Sequence, residues 1–129
     1  MLLPNLKYRN LWLLIGWGMV FLIIYLSLEP NPPQPVDFNQ ADKLEHLSAY
    51  AMLMLWFCQI YWDTQQRFRI ALGFAAMGIL IEILQGLGGV RFFEYADMLA
   101  NAIGVLIGWG MGQTVLKQSL YYVEQKIDR

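Results

Sequence analysis

The sequence predicts an all-α fold: a four-transmembrane-helix bundle with both termini cytoplasmic, built from one integral-membrane domain over residues 1–129. Three observations carry this. Hydrophobic residues make up 57% of the chain and charged residues 15%, whereas a soluble domain holds about 25% charged residues; the mean hydropathy is +0.40. The apolar residues gather in four runs, each close to the length of about 20 residues that a spanning helix needs. Lysine and arginine favour one side of these runs, as orientation by positive charge requires.

The first run, residues 11–28, follows Lys7 and Arg9 and carries Trp12 and Trp17 toward its start. Its length, and the lack of a small-residue cleavage site after Leu28, favour a retained helix over a signal peptide. It ends at LEPNPPQP, whose four prolines cannot continue a helix. The second run, 44–62, opens on DKLEH, which places four ionisable residues in five positions, including the single histidine, His46. The third, 70–87, is interrupted by Glu82 and Gln85. The fourth, 98–116, is interrupted by Asn101 and is rich in glycine.

Sidedness follows from the basic residues. Lys7 and Arg9 precede the first run, Arg67 and Arg69 follow the second, and Lys117, Lys126 and Arg129 lie toward the C-terminus. These mark the cytoplasmic side, which leaves the loops 29–42 and 88–97 outside. DKLEH then stands at the outer end of the second helix, Glu82 and Gln85 in the outer half of the third, and Asp97 and Asn101 at the outer end of the fourth. The unusual polar residues share one level.

They also share faces. Residues four apart on a helix lie about 40° apart around its axis, so Asp42, His46 and Tyr50 form one stripe, with Glu45 turned away toward interfacial water. On the fourth helix Asp97, Asn101, Gly104, Gly108 and Gly112 form another. Its glycines permit close helix approach and turn Asp97 and Asn101 toward the same neighbour; the same ridge is a candidate contact between copies of the chain. On the third helix Gly78, Glu82, Gln85 and Gly86 lie on a common side. An unpaired carboxylate in hydrocarbon costs at least about 2.5 kcal/mol, so Glu82 is expected to face the bundle interior. In the hairpin GLGGVRFFEYAD, Arg91 either bends over the pocket or reaches a headgroup phosphate.

Other chemistries find little support. The net charge of −1 gives no field for nucleic acid, and none is expected as a partner. The single cysteine, Cys58, excludes an intramolecular disulfide and reads as a small core residue. There is no cysteine metal pattern, glycine-rich phosphate loop or nucleophile elbow. No cofactor or metal is specified.

The order D-K-x-x-H-x-x-x-Y, E-x-x-Q, then Arg and Asp around the following loop, then N-x-x-G, resembles the VanZ-like family of small bacterial membrane proteins, over roughly residues 42–108. The family's polar set corresponds to Asp42, Lys43, His46, Tyr50, Glu82, Gln85, Arg91, Asp97 and Asn101. The resemblance implies a multi-pass protein of the bacterial inner membrane linked to the cell envelope. The family's namesake is associated with low-level resistance to the glycopeptide teicoplanin, and the resemblance raises a relation to such tolerance without establishing a reaction.

Three readings of the cluster follow. In the leading one, the outward pocket binds an envelope lipid or lipid-linked headgroup: Lys43 and Arg91 take phosphate, and Glu82, Asp97, Asn101 and Gln85 bond sugar or amide groups. Alternatively, a metal held by Asp42, His46, Glu82 and Asp97, or His46 as general base, serves an enzyme acting on a lipid-linked phosphate. In the third reading the cluster is structural, with ion pairs and interhelical bonds stabilising a membrane or assembly subunit.

Overall fold

A computed structural model describes residues 6–28, 41–61, 63–87, 95–113 and 119–127, with the side chains of residues 41, 42 and 119 excepted. These residues form five helices and no strand: α1 (Arg9–Leu28), α2 (Ala41–Ile60), α3 (Thr64–Leu87), α4 (Tyr95–Met111) and α5 (Ser119–Ile127). The all-α class stands.

Two of these helices, α1 and α3, are long and apolar enough to cross a membrane. The other two expected spans fall short for separate reasons. In α2, the DKLEH residues are part of the helix and dilute its apolar stretch. α4 has 17 residues, roughly 26 Å at 1.5 Å per residue, a little under the bilayer's hydrocarbon thickness of about 30 Å.

Helix boundaries also differ from the apolar runs. α3 begins six positions before residue 70, because QQRFR continues the helix in polar residues; the Arg67 N–H bonds the Asp63 carbonyl at 3.0 Å as its first turn closes. α4 ends at Met111 rather than 116. There the Gln113 N–H bonds the Gly110 carbonyl at 3.1 Å, a tightened last turn; residues 114–116 of the expected span lie outside the described residues. α5 was not expected. Its nine residues are too few and too polar to register as an apolar run, yet Leu120 and Glu124, one turn apart, are both buried.

α2 is the central element. It packs most extensively against α4, where a Cβ added to Gly104 or Gly108 would run into the backbone carbonyls of Leu47 and Ala51. One added to Gly112 would sit 2.7 Å from the Cys58 Cβ. The glycine ridge thus brings the α2 and α4 backbones together, as small residues do between membrane helices. Gly104, Gly108 and Gly112, the residues expected to serve contacts between copies, face α2 of the same chain.

α1 meets α2 through Gly16, which lies under Trp56 and Phe57. The edge-on Trp12–Trp56 pair, with centroids 6.0 Å apart, and a 2.9 Å bond from the Trp56 indole N–H to the Trp12 carbonyl extend this contact. The main core gathers Tyr50, Leu53, Met54, Phe57 and Cys58 of α2 with Val20, Ala71, Phe74 and Val105. Cys58 is a fully buried free thiol, as expected. A second core unites Leu6, Trp12, Ile60 and Leu120. Away from these contacts the helices present large apolar side chains outward, with Leu14 70% and Leu106 63% exposed, a surface suited to a membrane or partner contact rather than to water.

Candidate functional site

The N-terminal ends of α2 and α4 meet through charge. The Lys43 Nζ lies 2.8 Å from Asp97 Oδ1, and both side chains are largely buried. The approach lacks the alignment of a directed hydrogen bond, so it acts as an ion pair. Asp97 sits in the first turn of α4, where the helix dipole favours an anion.

One turn further, Asn101 is 3% exposed and packs against bare backbone: a Cβ added to Gly78 of α3 would lie 2.9 Å from its Nδ2. Its Oδ1 is buried and accepts no hydrogen bond among the described residues. An orphaned buried acceptor costs about 1–3 kcal/mol. Glu82, one turn beyond Gly78 on α3, is 1% exposed, and its carboxylate lies within electrostatic reach of the buried Tyr50 hydroxyl on α2. Lys43, Tyr50, Glu82, Asp97 and Asn101 are thus drawn from three helices into one region.

The remaining expected residues divide. His46 is half-buried on α2. Gln85 is buried, but its Nε2 donates to the Ser27 carbonyl. That carbonyl belongs to the last turn of α1, which has no intrahelical partner to offer it; Gln85 therefore ties α3 to α1. The side chain of Asp42 and the whole of Arg91 lie outside the described residues. Glu45, expected in interfacial water, is half-buried with its Oε1 enclosed and accepting no hydrogen bond among the described residues.

With Glu82, Asp97 and the Asn101 Oδ1 against Lys43, the described part of the region is rich in acceptors. It suits a group that brings hydrogen-bond donors. Among the described residues no three His, Cys, Asp or Glu side chains are grouped to hold a metal ion.

Two buried charges were missed by the sequence reading, both at the opposite end of α2. Glu124 of α5 accepts from the backbone N–H groups of Lys7 and Tyr8, each at 2.8 Å, and from the Trp12 indole N–H at 2.6 Å. Arg67, read as a loop cation, is buried. Its side chain donates to the Cys58 carbonyl at 2.6 Å and the Tyr61 carbonyl at 2.7 Å, closing the end of α2. Only a chain fold that returns α5 to the start of α1 reveals the first role. The second could have been suspected from a cation just past a helix C-terminus.

No protein-family model matches the chain, and no match was found among curated proteins or solved structures.

Proposed function

We propose that the chain is a multi-pass protein of the bacterial inner membrane, with α1–α4 as its spans and both termini cytoplasmic. In this reading the region around Asn101 binds the headgroup of an envelope lipid or lipid-linked intermediate at the outer level. The observation that carries it is the buried Asn101 Oδ1, which accepts no hydrogen bond among the described residues, packed against Gly78 one turn from Glu82. A sugar hydroxyl or amide N–H from the ligand donates to this oxygen, and Lys43 meets the adjoining phosphate by exchanging part of its contact with Asp97. Arg91 joins as a second cation by its place in the sequence. The VanZ-like resemblance supplies the envelope setting and rests on the motif residues alone; it transfers no glycopeptide resistance to this chain.

The test compares binding of a polyprenyl-phosphate-linked sugar with that of the bare polyprenyl phosphate, for the parent, Asn101→Leu and Lys43→Ala in detergent. The parent is expected to prefer the sugar-bearing lipid. Asn101→Leu should lose that preference and keep phosphate binding, while Lys43→Ala weakens both. A parent indifferent to the sugar would overturn the proposal.

The structural reading is favoured by one observation, the Lys43–Asp97 pair at 2.8 Å, which joins the helices already packed along the glycine ridge. It expects Lys43→Ala to lower stability with no change in lipid selectivity.

A further inference from the structure

A second region of the molecule has the form of a binding site and is separate from the polar one. A partly open cleft of about 380 Å³ lies between α1, the C-terminal part of α2 and the N-terminal half of α3. That volume is within the usual range for small-molecule sites, about 300–1,000 Å³. Its walls are aromatic and apolar: Trp17, Phe57, Phe74 and Met77 line it. Phe57 organises them, meeting Trp17 edge-on at 5.7 Å and Phe74 at 5.5 Å. Gly73 forms part of the lining, and a Cβ added there would meet nothing within 4 Å.

One end of the cleft differs from the rest. Gln66, Arg69 and the Tyr61 ring line it there, and the Arg9 guanidinium lies over the Tyr61 ring, 5.1 Å from its centroid. One guanidinium, that of Arg69, therefore lines this end of the cleft, and a second, that of Arg9, lies over the ring of the lining residue Tyr61. The lining contains no carboxylate, and Arg69 forms no ion pair among the described residues. Arg67 differs: it is buried and already holds the end of α2.

We infer that this cleft holds one acyl chain of an anionic phospholipid, with the headgroup phosphate between Arg69 and Arg9. Length supports a lipid tail. From Arg69 to Met77 the cleft runs roughly 12 Å along α3, at 1.5 Å per residue, within one leaflet of a hydrocarbon core about 30 Å thick. Charge supports an anionic head, because guanidinium matches phosphate with two parallel hydrogen bonds. Sidedness agrees, since both arginines belong to the cationic side of the sequence, and basic residues near a membrane surface are drawn to anionic headgroups. The inference rests on the membrane placement of α1 and α3 but not on the outer headgroup region.

The experiment is native mass spectrometry of the full chain in detergent, with phosphatidylglycerol or phosphatidylcholine of matched chains. The parent should retain phosphatidylglycerol about tenfold more than phosphatidylcholine, corresponding to about 1.4 kcal/mol. Arg9→Gln with Arg69→Gln should bring that ratio near one. Gly73→Leu, which fills the cleft, should cut retention of both lipids about tenfold with unchanged or higher Tm, because leucine favours helix over glycine; Gly73→Ala, which fits the open space, controls for the backbone change. Equal retention of the two lipids by the parent, or parent-like retention by Gly73→Leu, would overturn the site while leaving the outer headgroup reading intact. A parent that stays monodisperse without detergent would overturn the membrane placement and this site with it.

Discussion

The two ends of α2 both bury charge, and they use it differently. At the C-terminal end, Glu124 and Arg67 are engaged by the polypeptide itself. Glu124 takes two backbone N–H groups and an indole N–H at the start of α1, while Arg67 takes two carbonyls where α2 ends. Each ion stands in for the intrahelical partner that a helix terminus lacks. At the N-terminal end, Lys43 and Asp97 pair with one another, but Asn101 Oδ1 and Glu45 Oε1 are buried without donors among the described residues. The difference teaches which buried polar groups are candidates for a ligand. A charge satisfied by helix ends is consumed by the fold; an acceptor left open by the fold is available to something else.

The sharpest way to break this comparison is to remove Glu124. The carboxylate is 2% exposed and serves three donors, and bonds to a charged group are worth about 1.5–3 kcal/mol each without being additive. Glu124→Ala should therefore cost roughly 3 kcal/mol or more, read as a fall in Tm in detergent, with α1 showing faster amide exchange at its start. A Tm within the range of surface substitutions would show that the cap is not holding α1.

Next in size is the contact that brings α2 and α4 together. Gly108→Ala places a methyl against the Ala51 carbonyl and 2.9 Å from the Met54 Cβ; overpacking of this kind costs about 1–3 kcal/mol. Gly110→Ala, two positions along, meets nothing within 4 Å and should be neutral or stabilising by up to about 1 kcal/mol, the helix-propensity gain. Thermal unfolding of the two variants side by side checks the sign difference. Equal effects would mean that the ridge does not set the helix approach.

The glycine ridge was legible in the sequence because its spacing matches the helical repeat, and so was the inward turn of Asp97 and Asn101 that it enforces; the inward turn of Glu82 was legible from the cost of an unpaired carboxylate in hydrocarbon. Lengths were less legible. Apolar runs mark where side chains are greasy, not where helical hydrogen bonds begin or end, so α3 starts early in QQRFR and α2 includes DKLEH. Glu45 went astray, and the tie of Gln85 to α1 went unseen, for a related reason. Helical spacing gives a side chain's direction to within a broad arc, and the position of α1, which claims Gln85 through Ser27, is not written in that spacing. Glu124 and Arg67 depend on contacts between segments distant in sequence or folded back across a turn, which periodicity cannot register.

A smaller effect is expected from the Lys43–Asp97 pair. A double-mutant cycle with Lys43→Met and Asp97→Asn should give a coupling of about 1 kcal/mol, above the usual value for exposed pairs because both side chains are partly withdrawn from water. Coupling near zero would remove the observation that favours a purely structural cluster.

The smallest expected effect on stability is at Asn101, and it separates the two ends of α2 most cleanly. An interhelical polar contact in a membrane contributes about 0.6 kcal/mol on average, and Asn101 spends part of that benefit on an Oδ1 that receives no donor among the described residues. Asn101→Leu removes the orphaned acceptor and keeps similar bulk against Gly78. Stability should change by less than about 1 kcal/mol, in either direction, because the lost amide contact and the relieved acceptor oppose each other. A loss near that of Glu124→Ala would place Asn101 with the charges consumed by the fold. A near-neutral Tm together with lost preference for the sugar-bearing lipid would place it among the groups kept open for a ligand, since a residue that stabilises little and selects strongly is held in the core for what it binds.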